Sequence, residues 1–570
     1  MILCEFCKNI RVVTLLSCKT VCVQTEIRFL LFWMQKCVLL PDILKLRFLF
    51  DCNRLVKVTY NKINNLLKPV TFTIRQPFKV TDMLLMLLWS VLLILLVWYL
   101  LIRRPSGAPP GPPVYVPILG NLVDFNQQNM LDKFKEYRKK YGDVFSLKLG
   151  SRLVVVINGY DAMREALVNF GDVFSSRPDI FSPSELAQGL GIVSSSGNLW
   201  REHRHFAMTT IKNLGLNDGT LEQYMLTEID YLTLEIQGTK GDPFKITDLV
   251  LMSISNIMCR LMFGQRFDYS DSKFIKIVQS FNENLELSAL SGALNFLPFL
   301  NYIPGDPCKI KVIKENQCII DQFLFEFIQG HKETYEEDHT RDYIDAFLKK
   351  KYRERNLTSS TFSEEQLLRC ISDLFIAGTH TTSTSIQWGL LFLITHSDVQ
   401  TKMRYEMDKV LGTSRWPRYE NRHSLPFCQA VVSEVLRCGN IAPITLPHGV
   451  NYDIEFRGYK IHQNAILFLN QDSVLSDPLI FDQPELFNPS RFIDNNGALM
   501  REEKIVSFSL GRRACLGEAV ARMELFLYLT HLVKRFEFLP EDVNECPNMN
   551  GILGINRTPT PYRLKAVRLI

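Results

Sequence analysis

Phe508-Ser-Leu-Gly511-Arg-Arg513-Ala-Cys515-Leu-Gly517 is the stretch on which the reading of this chain turns. One cysteine sits in a turn bracketed by two glycines, with Arg512 and Arg513 just before it. Downstream, Val520, Met523, Leu525, Phe526 and Leu529 recur at helical spacing and predict a helix over Glu518–Leu532. A thiol at a helix start faces the positive end of the dipole, and two arginines stand beside it. Both effects predict a lowered thiol pKa. Glycines on either side let the backbone approach something flat and bulky, because no Cβ intervenes. Phe508 is placed to cover the sulfur from water.

A lone cysteine is ordinarily a small buried hydrophobe. Here five positions, Phe508, Gly511, Arg513, Cys515 and Gly517, occur together. They match the signature Phe-x-x-Gly-x-Arg-x-Cys-x-Gly, and the chain resembles the cytochromes P450, in particular the branch that includes vertebrate drug- and lipid-metabolising enzymes. The resemblance implies a mainly α fold with a small β-region embracing haem b, with Cys515 as the axial thiolate ligand of the iron.

Three distant motifs agree. Ser363-Glu-Glu-Gln366 reads as a capping box opening a helix that runs to about Thr395. Within it lies Ala377-Gly378-Thr379-His380-Thr381-Thr382, a run of poor helix formers where the helix should bend and something should fit against the backbone. This is similar to the family's oxygen-binding motif, which makes Thr381 the alcohol beside dioxygen and Ala377 a haem neighbour. The motif's acid is replaced by His380, a residue able to carry protons near neutral pH. Trp200 and Arg204 lie four apart on one predicted helix face. Together with Arg177, His448 and Arg513 they correspond to the family's propionate ligands, a task that suits a planar guanidinium. Glu434, Arg437 and Arg491 match the family's buried ion triad, expected to hold the cysteine loop.

Elsewhere, Asn126–Tyr141 reads as an amphipathic helix, Val144–Asn158 as a strand pair around Gly150-Ser151, and Val450–Ile461 as hairpin strands. The proline-broken, apolar Asn295–Asp306 corresponds to the loop between the helices that roof the active site. Pocket-lining candidates are Ser184–Val193, Leu294–Leu300, Ile376, Ala442–Leu446 and Gly551–Ile555, mostly apolar.

Met83–Ile102 is twenty residues with Ser90 as its one clearly polar member, enough to cross roughly 30 Å of hydrocarbon. Arg103 and Arg104 follow, which predicts a transmembrane anchor with the domain after it in the cytosol, at the endoplasmic reticulum membrane. Residues 103–117 hold six prolines and read as a stiff extended hinge, with the haem-thiolate catalytic domain at 118–570. Residues 1–82 carry 13 basic and 5 acidic residues, leaving 52 and 55 for the remainder, so the net charge of +5 belongs to this extension and points to no nucleic acid. Those basic residues conflict with a cytosolic catalytic domain, a conflict removed if the native chain starts at Met83. The extension's Cys4-x-x-Cys7 and Cys18-x-x-x-Cys22 have no histidine partner, and the other eight of fourteen cysteines are scattered, as in a reduced protein.

The resemblance implies an oxidoreductase that takes electrons from NADPH-dependent cytochrome P450 reductase, with cytochrome b5 as a further candidate donor, and inserts one atom of O2 into an apolar small molecule. Arg201, Arg501, Lys504 and Arg512 are candidates for the docking face. Two alternatives stand beside it: a haem-thiolate isomerase or dehydratase acting on a peroxide, and a non-catalytic haem-binding protein.

Overall fold

The computed structural model describes residues 80–114, 116–126, 128–179, 189–542 and 544–569. The extension's cysteine pairs and the candidate pocket residues 184–188 lie outside them. Val80–Ile102 forms helix α1, and its described side chains, Leu84 to Tyr99, are all exposed. Among the residues whose side chains are described, no helix is long and apolar enough to cross a membrane. The chain divides into two compact units at Leu92 and Leu93, and every element from Met130 onward belongs to the second.

Among the described residues the longer helices that follow are α2 (Met130–Tyr141), α3 (Gly197–Ile211), α4 (Thr220–Gly238), α5 (Thr247–Phe263), α6 (Ser272–Ser291), α7 (Ile310–Glu333), α8 (Tyr343–Arg353), α9 (Glu364–Thr395), α10 (Ser397–Leu411), α11 (Pro426–Gly439) and α12 (Glu518–Arg535), with short helices at Tyr160–Arg164 and Asp472–Leu475. The strands are β1 (Val144–Leu149), β2 (Arg152–Asn158), β3 (Ile454–Phe456), β4 (Tyr459–Ile461), β5 (Ile466–Asn470), β6 (Phe536–Pro540), β7 (Gly551–Leu553), β8 (Arg557–Pro559) and β9 (Leu564–Arg568). The fold is mainly helical, as expected. The largest sheet among the described residues has the order β1-β2-β5, with β1 and β2 antiparallel and β2 and β5 parallel. Pairs β3–β4, β6–β9 and β7–β8 are antiparallel ribbons.

Helix α9 is the axis of the domain. It packs against α5, α7, α11 and α12, and its second half, Thr382–Ile394, is continuously buried. Two glycines set how closely its neighbours approach. A Cβ on Gly378 would lie 2.5 Å from Met258 Sδ of α5, and one on Gly389 would lie 2.9 Å from Leu529 Cδ2 of α12. What fits against the backbone at the weak Ala377–Thr382 stretch on the Gly378 side is therefore a helix of the protein itself. The start of α9 is capped by Ser363, whose Oγ accepts from Gln366 N–H at 3.1 Å. Gln366 does not complete a capping box. Its amide reaches instead to Gly191, donating to the carbonyl at 3.1 Å and accepting from the N–H at 2.9 Å.

The proline segment turns at Pro105–Ala108, where Ala108 N–H donates to Pro105 O at 3.3 Å, and is docked on the domain. Ser146 of β1 donates its N–H to Pro110 O and its hydroxyl to Pro109 O, and Lys460 N–H donates to Gly107 O. A Cβ on Gly111 would meet Ser146 O at 1.9 Å. The roof loop forms short helical turns at Gly292–Asn295 and Pro298–Tyr302 and leaves Phe299, Tyr302 and Ile303 exposed. The ion triad forms with Glu434 fully buried: Arg437 Nε donates to it at 2.7 Å and Arg491 Nε at 3.0 Å. Its remaining donors go to the carbonyls of Leu475, Asp482, Gln483, Pro484 and Leu486. Its direct hold is on that irregular stretch rather than on the cysteine loop. The segment leading to the loop is tied to α11 separately, by Ser433 to Glu502 at 2.6 Å and Ser507 to Leu436 O at 3.0 Å.

Candidate active site

The cysteine loop closes on itself. Cys515 N–H donates to Phe508 O at 2.8 Å, so the first residue of the motif anchors the eighth. Gly511 holds φ +72° and would bring a Cβ within 2.0 Å of Leu167 O, so the close approach it permits is to protein backbone. Gly517 differs: no heavy atom lies within 4 Å of where its Cβ would stand. It caps α12, so Cys515 precedes the first helical residue by three positions. Phe508 is partly buried beneath Arg522, 5.1 Å from its ring centroid.

Cys515 is exposed by surface area. Even so, desolvation by surrounding protein is the largest influence on its thiol and raises the pKa, outweighing the Gly517 N–H and Arg204, which lower it. The expectation of a depressed thiol pKa is thus overturned, because burial costs the thiolate more than the helix start and one guanidinium return. Surface exposure and desolvation coexist when a sulfur looks into an enclosed hollow. Ala377 repeats the pattern: it is exposed half-way along α9, between buried Phe375 and Thr379.

Basic groups converge on the same region. Arg513 stacks on buried Trp200, 3.9 Å from its ring, and donates to the carbonyls of Ser175, Ile192 and Ser195. Arg177 donates to Val193, Leu446 and Pro447 carbonyls. Arg204, one turn beyond Trp200 on α3, donates to Ala514 O at 2.5 Å. Burial pushes all three guanidinium pKa values down; repulsion from Arg204 adds to this for Arg177, and repulsion from Arg177 and Arg204 for Arg513. A guanidinium stays charged regardless, so the cluster is a site of unfavourable positive potential. His448 is buried beside it, with Nδ1 2.6 Å from Phe174 O and its pKa pushed down to about 3 by burial and then by Arg177. None of the three arginines forms an ion pair with a carboxylate among the described residues.

Sequence reasoning missed the residue that ties this cluster to α9. Asp373 Oδ2 accepts from Ile192 N–H at 2.7 Å and Val193 N–H at 2.8 Å. The same backbone stretch is held from its other side by Arg513 and Arg177, so one carboxylate locks the loop between helix and arginines. Burial pushes its pKa up to about 6. The available signal was a lone acid inside the apolar run Cys370–Ile376.

On α9, Thr381 Oγ1 donates to Ala377 O at 2.6 Å, the back-bond that bends helices. Its proton is committed, and what it presents elsewhere are lone pairs. His380 Nδ1 lies 2.9 Å from the side-chain nitrogen of Asn556, in the turn between β7 and β8. Burial pushes its pKa down to about 4, against the expectation of a group that takes up and releases protons near neutral pH.

These residues fit haem. A thiol that is exposed yet desolvated offers the axial ligand, metal binding itself favours the thiolate, and uncompensated arginines beside it suit a group bearing two carboxylates. The comparisons agree. The model of the cytochrome P450 family matches residues 109–566, and the chain belongs to that family. It is similar to Cytochrome P450 2H2 of Gallus gallus, 36% identical over 466 residues, which is 80% of this chain and 93% of the relative. Similarity to Cytochrome P450 2C39 of Mus musculus is 37% over 478 residues (83% and 96%), and to Cytochrome P450 2B4 of Oryctolagus cuniculus 35% over 488 (85% and 99%). The chain is a haem-thiolate monooxygenase, an oxidoreductase with haem as cofactor that inserts one atom of molecular oxygen into its substrate.

Proposed function

We propose that Cys515 is the iron ligand and that Arg177, Trp200, Arg204, His448 and Arg513 seat the propionates. The observation that carries this reading is the cluster of three arginines around a thiol that is both enclosed and exposed. When bound, the haem supplies the redox chemistry by which dioxygen is split. Trp200 works through Arg513, whose guanidinium it holds flat. His448 Nδ1 donates to the Phe174 carbonyl, which can only accept, so its Nε2 reaches an anion as a donor only once the ring is protonated. A propionate beside it is expected to raise its pKa for that reason. Thr381 accepts a hydrogen bond at the oxygen site, and Ala377 places only a methyl group beside it. Phe508 and Gly511 shape the cysteine loop, and Gly517 leaves room beside the macrocycle.

Electrons come from NADPH-dependent cytochrome P450 reductase, with cytochrome b5 as a second donor. Met83–Ile102 anchors the enzyme in the endoplasmic reticulum membrane with the domain in the cytosol, supported by Arg103 and Arg104 behind it. The docked proline segment and exposed Phe299, Tyr302 and Ile303 are consistent with a domain held close to lipid. Apolar lining fits a fatty acid, a steroid or isoprenoid, or a foreign compound.

The test is spectral and kinetic. Protein made with haem supplied should give a red-shifted Soret band under reducing carbon monoxide, and Cys515→Ala should abolish it. Product should require NADPH, reductase and O2. Product from a hydroperoxide alone, with none from NADPH and O2, would move the chain to the isomerase class.

A further inference from the structure

His380 stands where the family motif has an acid, and its surroundings are uncharged. Burial is the influence on its pKa, and the residues that border a hollow beside it are Leu251 of α5, Val278, Phe281 and Asn282 of α6, and Phe375, Ile376 and Thr379 of α9. That hollow measures about 10 Å³, close to the room one water needs. Thr379 Oγ1, on its wall, is buried without a hydrogen-bond partner. A buried hydroxyl left unpaired is costly, and a water is its usual remedy. On the ring's other side the Asn556 amide N–H₂ faces Nδ1 at 2.9 Å. An amide nitrogen only donates, so Nδ1 accepts and the ring proton sits on Nε2.

We propose that Asn556 is a positioning residue for oxygen activation: its amide fixes His380 with the proton on Nε2, and Nε2–H donates to a single water shared with Thr379 Oγ1. This rests on the reading of His380 as part of the oxygen site. A proton leaving Nε2 needs another arriving at Nδ1, and the Asn556 amide does not supply one. His380 thus orients a water where the motif's acid would pass a proton. The contact also ties the β7–β8 hairpin, which carries the candidate substrate-lining residues Gly551–Ile555, to the middle of α9.

Asn556→Asp reverses the donor. Asn556 is half-buried, so an aspartate there can ionise. It would demand a proton on Nδ1, leaving Nε2 protonated only below a raised imidazole pKa and bare above it. The first readout is the ring nitrogen NMR spectrum of histidine-labelled holoenzyme in its ferrous carbon monoxide form, where His380→Gln identifies the signals among ten histidines. Nδ1 should appear unprotonated from pH 6 to 8.5 in the native protein and protonated in Asn556→Asp. A native Nδ1 that carries the proton overturns the proposal. The second readout is hydrogen peroxide released per NADPH oxidised by enzyme and reductase, with a fatty acid as probe substrate. Asn556→Asp should match the native protein at pH 6 and release several-fold more by pH 8.5, and the rise should vanish in the His380→Gln background. A rise that persists in that background, or no rise, counts against the proposal. If Asn556→Asp binds no haem, Asn556→Ala replaces it, and the His380 proton should then spread over both nitrogens. His380→Gln alone leaving peroxide release unchanged would overturn the oxygen-site reading, while the NMR result decides the Asn556 contact independently.

Discussion

Glu524 shows how much a single residue can be at odds with its surroundings. It lies on α12 in the apolar run Met523–Leu529, almost fully buried, with Oε1 unpaired. Burial pushes its pKa up to about 8 against a weaker pull from the Thr382 hydroxyl. Between the ordinary carboxylate value and about 8, the folded protein keeps a proton that the unfolded chain has lost. Its contribution to stability is therefore undiminished below the unfolded pKa, falls as pH rises through that window, and is lowest above pH 8. At pH 7 the penalty is on the order of 3 kcal/mol. Glu524→Gln keeps the shape without the charge. Its melting temperature should exceed that of the native protein at pH 8.5, and the gap should close near pH 5; a gap independent of pH would show the carboxyl to be unperturbed. Neither this role nor that of Asp373 or Asn556 was legible in the sequence. Their meaning arises from helices and turns brought together from far along the chain; the immediate neighbours mark Asp373 and Glu524 only as lone acids in apolar runs.

At the scale of elements, the legible parts were those whose cause is local. The β1–β2 pair turns at Gly150-Ser151 as read, the long helix starts at the Ser363 cap, and the cysteine loop lies within ten residues of sequence. Helix α12 extends three residues past its expected end, and α2 begins at Met130 rather than Asn126, because Asn126 accepts from the N–H groups of Gln128 and Asn129 in a turn. Gln366 escaped reading because its partner, Gly191, is 175 residues away. The two loop glycines look equivalent in sequence and are not. Gly511→Ala places a methyl against Leu167 O in a left-handed backbone and should yield protein with little or no folded, haem-bearing fraction. Gly517 sits at φ −93° with open space at its Cβ. Gly517→Ala should fold, by circular dichroism and by its melting transition, yet lose haem on dilution several-fold faster than the native protein. Equal haem retention would mean that the space beside Gly517 is not where the macrocycle lies.

The whole molecule must also present a face to its electron donor, and the structure sorts the four candidate charges on it. Arg512 is already paired with Asp172 at 2.7 Å, and Lys504 lies over the Tyr160 ring, 3.7 Å from its centroid. Arg201 and Arg501 are exposed and form no ion pair among the described residues. Arg201 belongs to α3, whose Trp200 and Arg204 reach the cysteine loop, and Arg501 belongs to the segment that leads into it. An exposed charge pair of opposite sign largely cancels beyond a Debye length of about 8 Å at physiological salt, whereas unpaired charges continue to steer a partner. Steering acts on the association rate and weakens with ionic strength. The double substitution Arg201→Ala with Arg501→Ala should therefore slow reduction by the reductase several-fold at low salt and less at high salt. The carbon monoxide spectrum should not change, since neither side chain belongs to the proposed haem seat. The paired substitution Arg512→Ala with Asp172→Ala should have the smaller effect, because it removes two charges that already neutralise one another. Stopped-flow reduction under carbon monoxide measures all three proteins. Rates that do not depend on Arg201 and Arg501 at any ionic strength would place the docking face elsewhere on the domain.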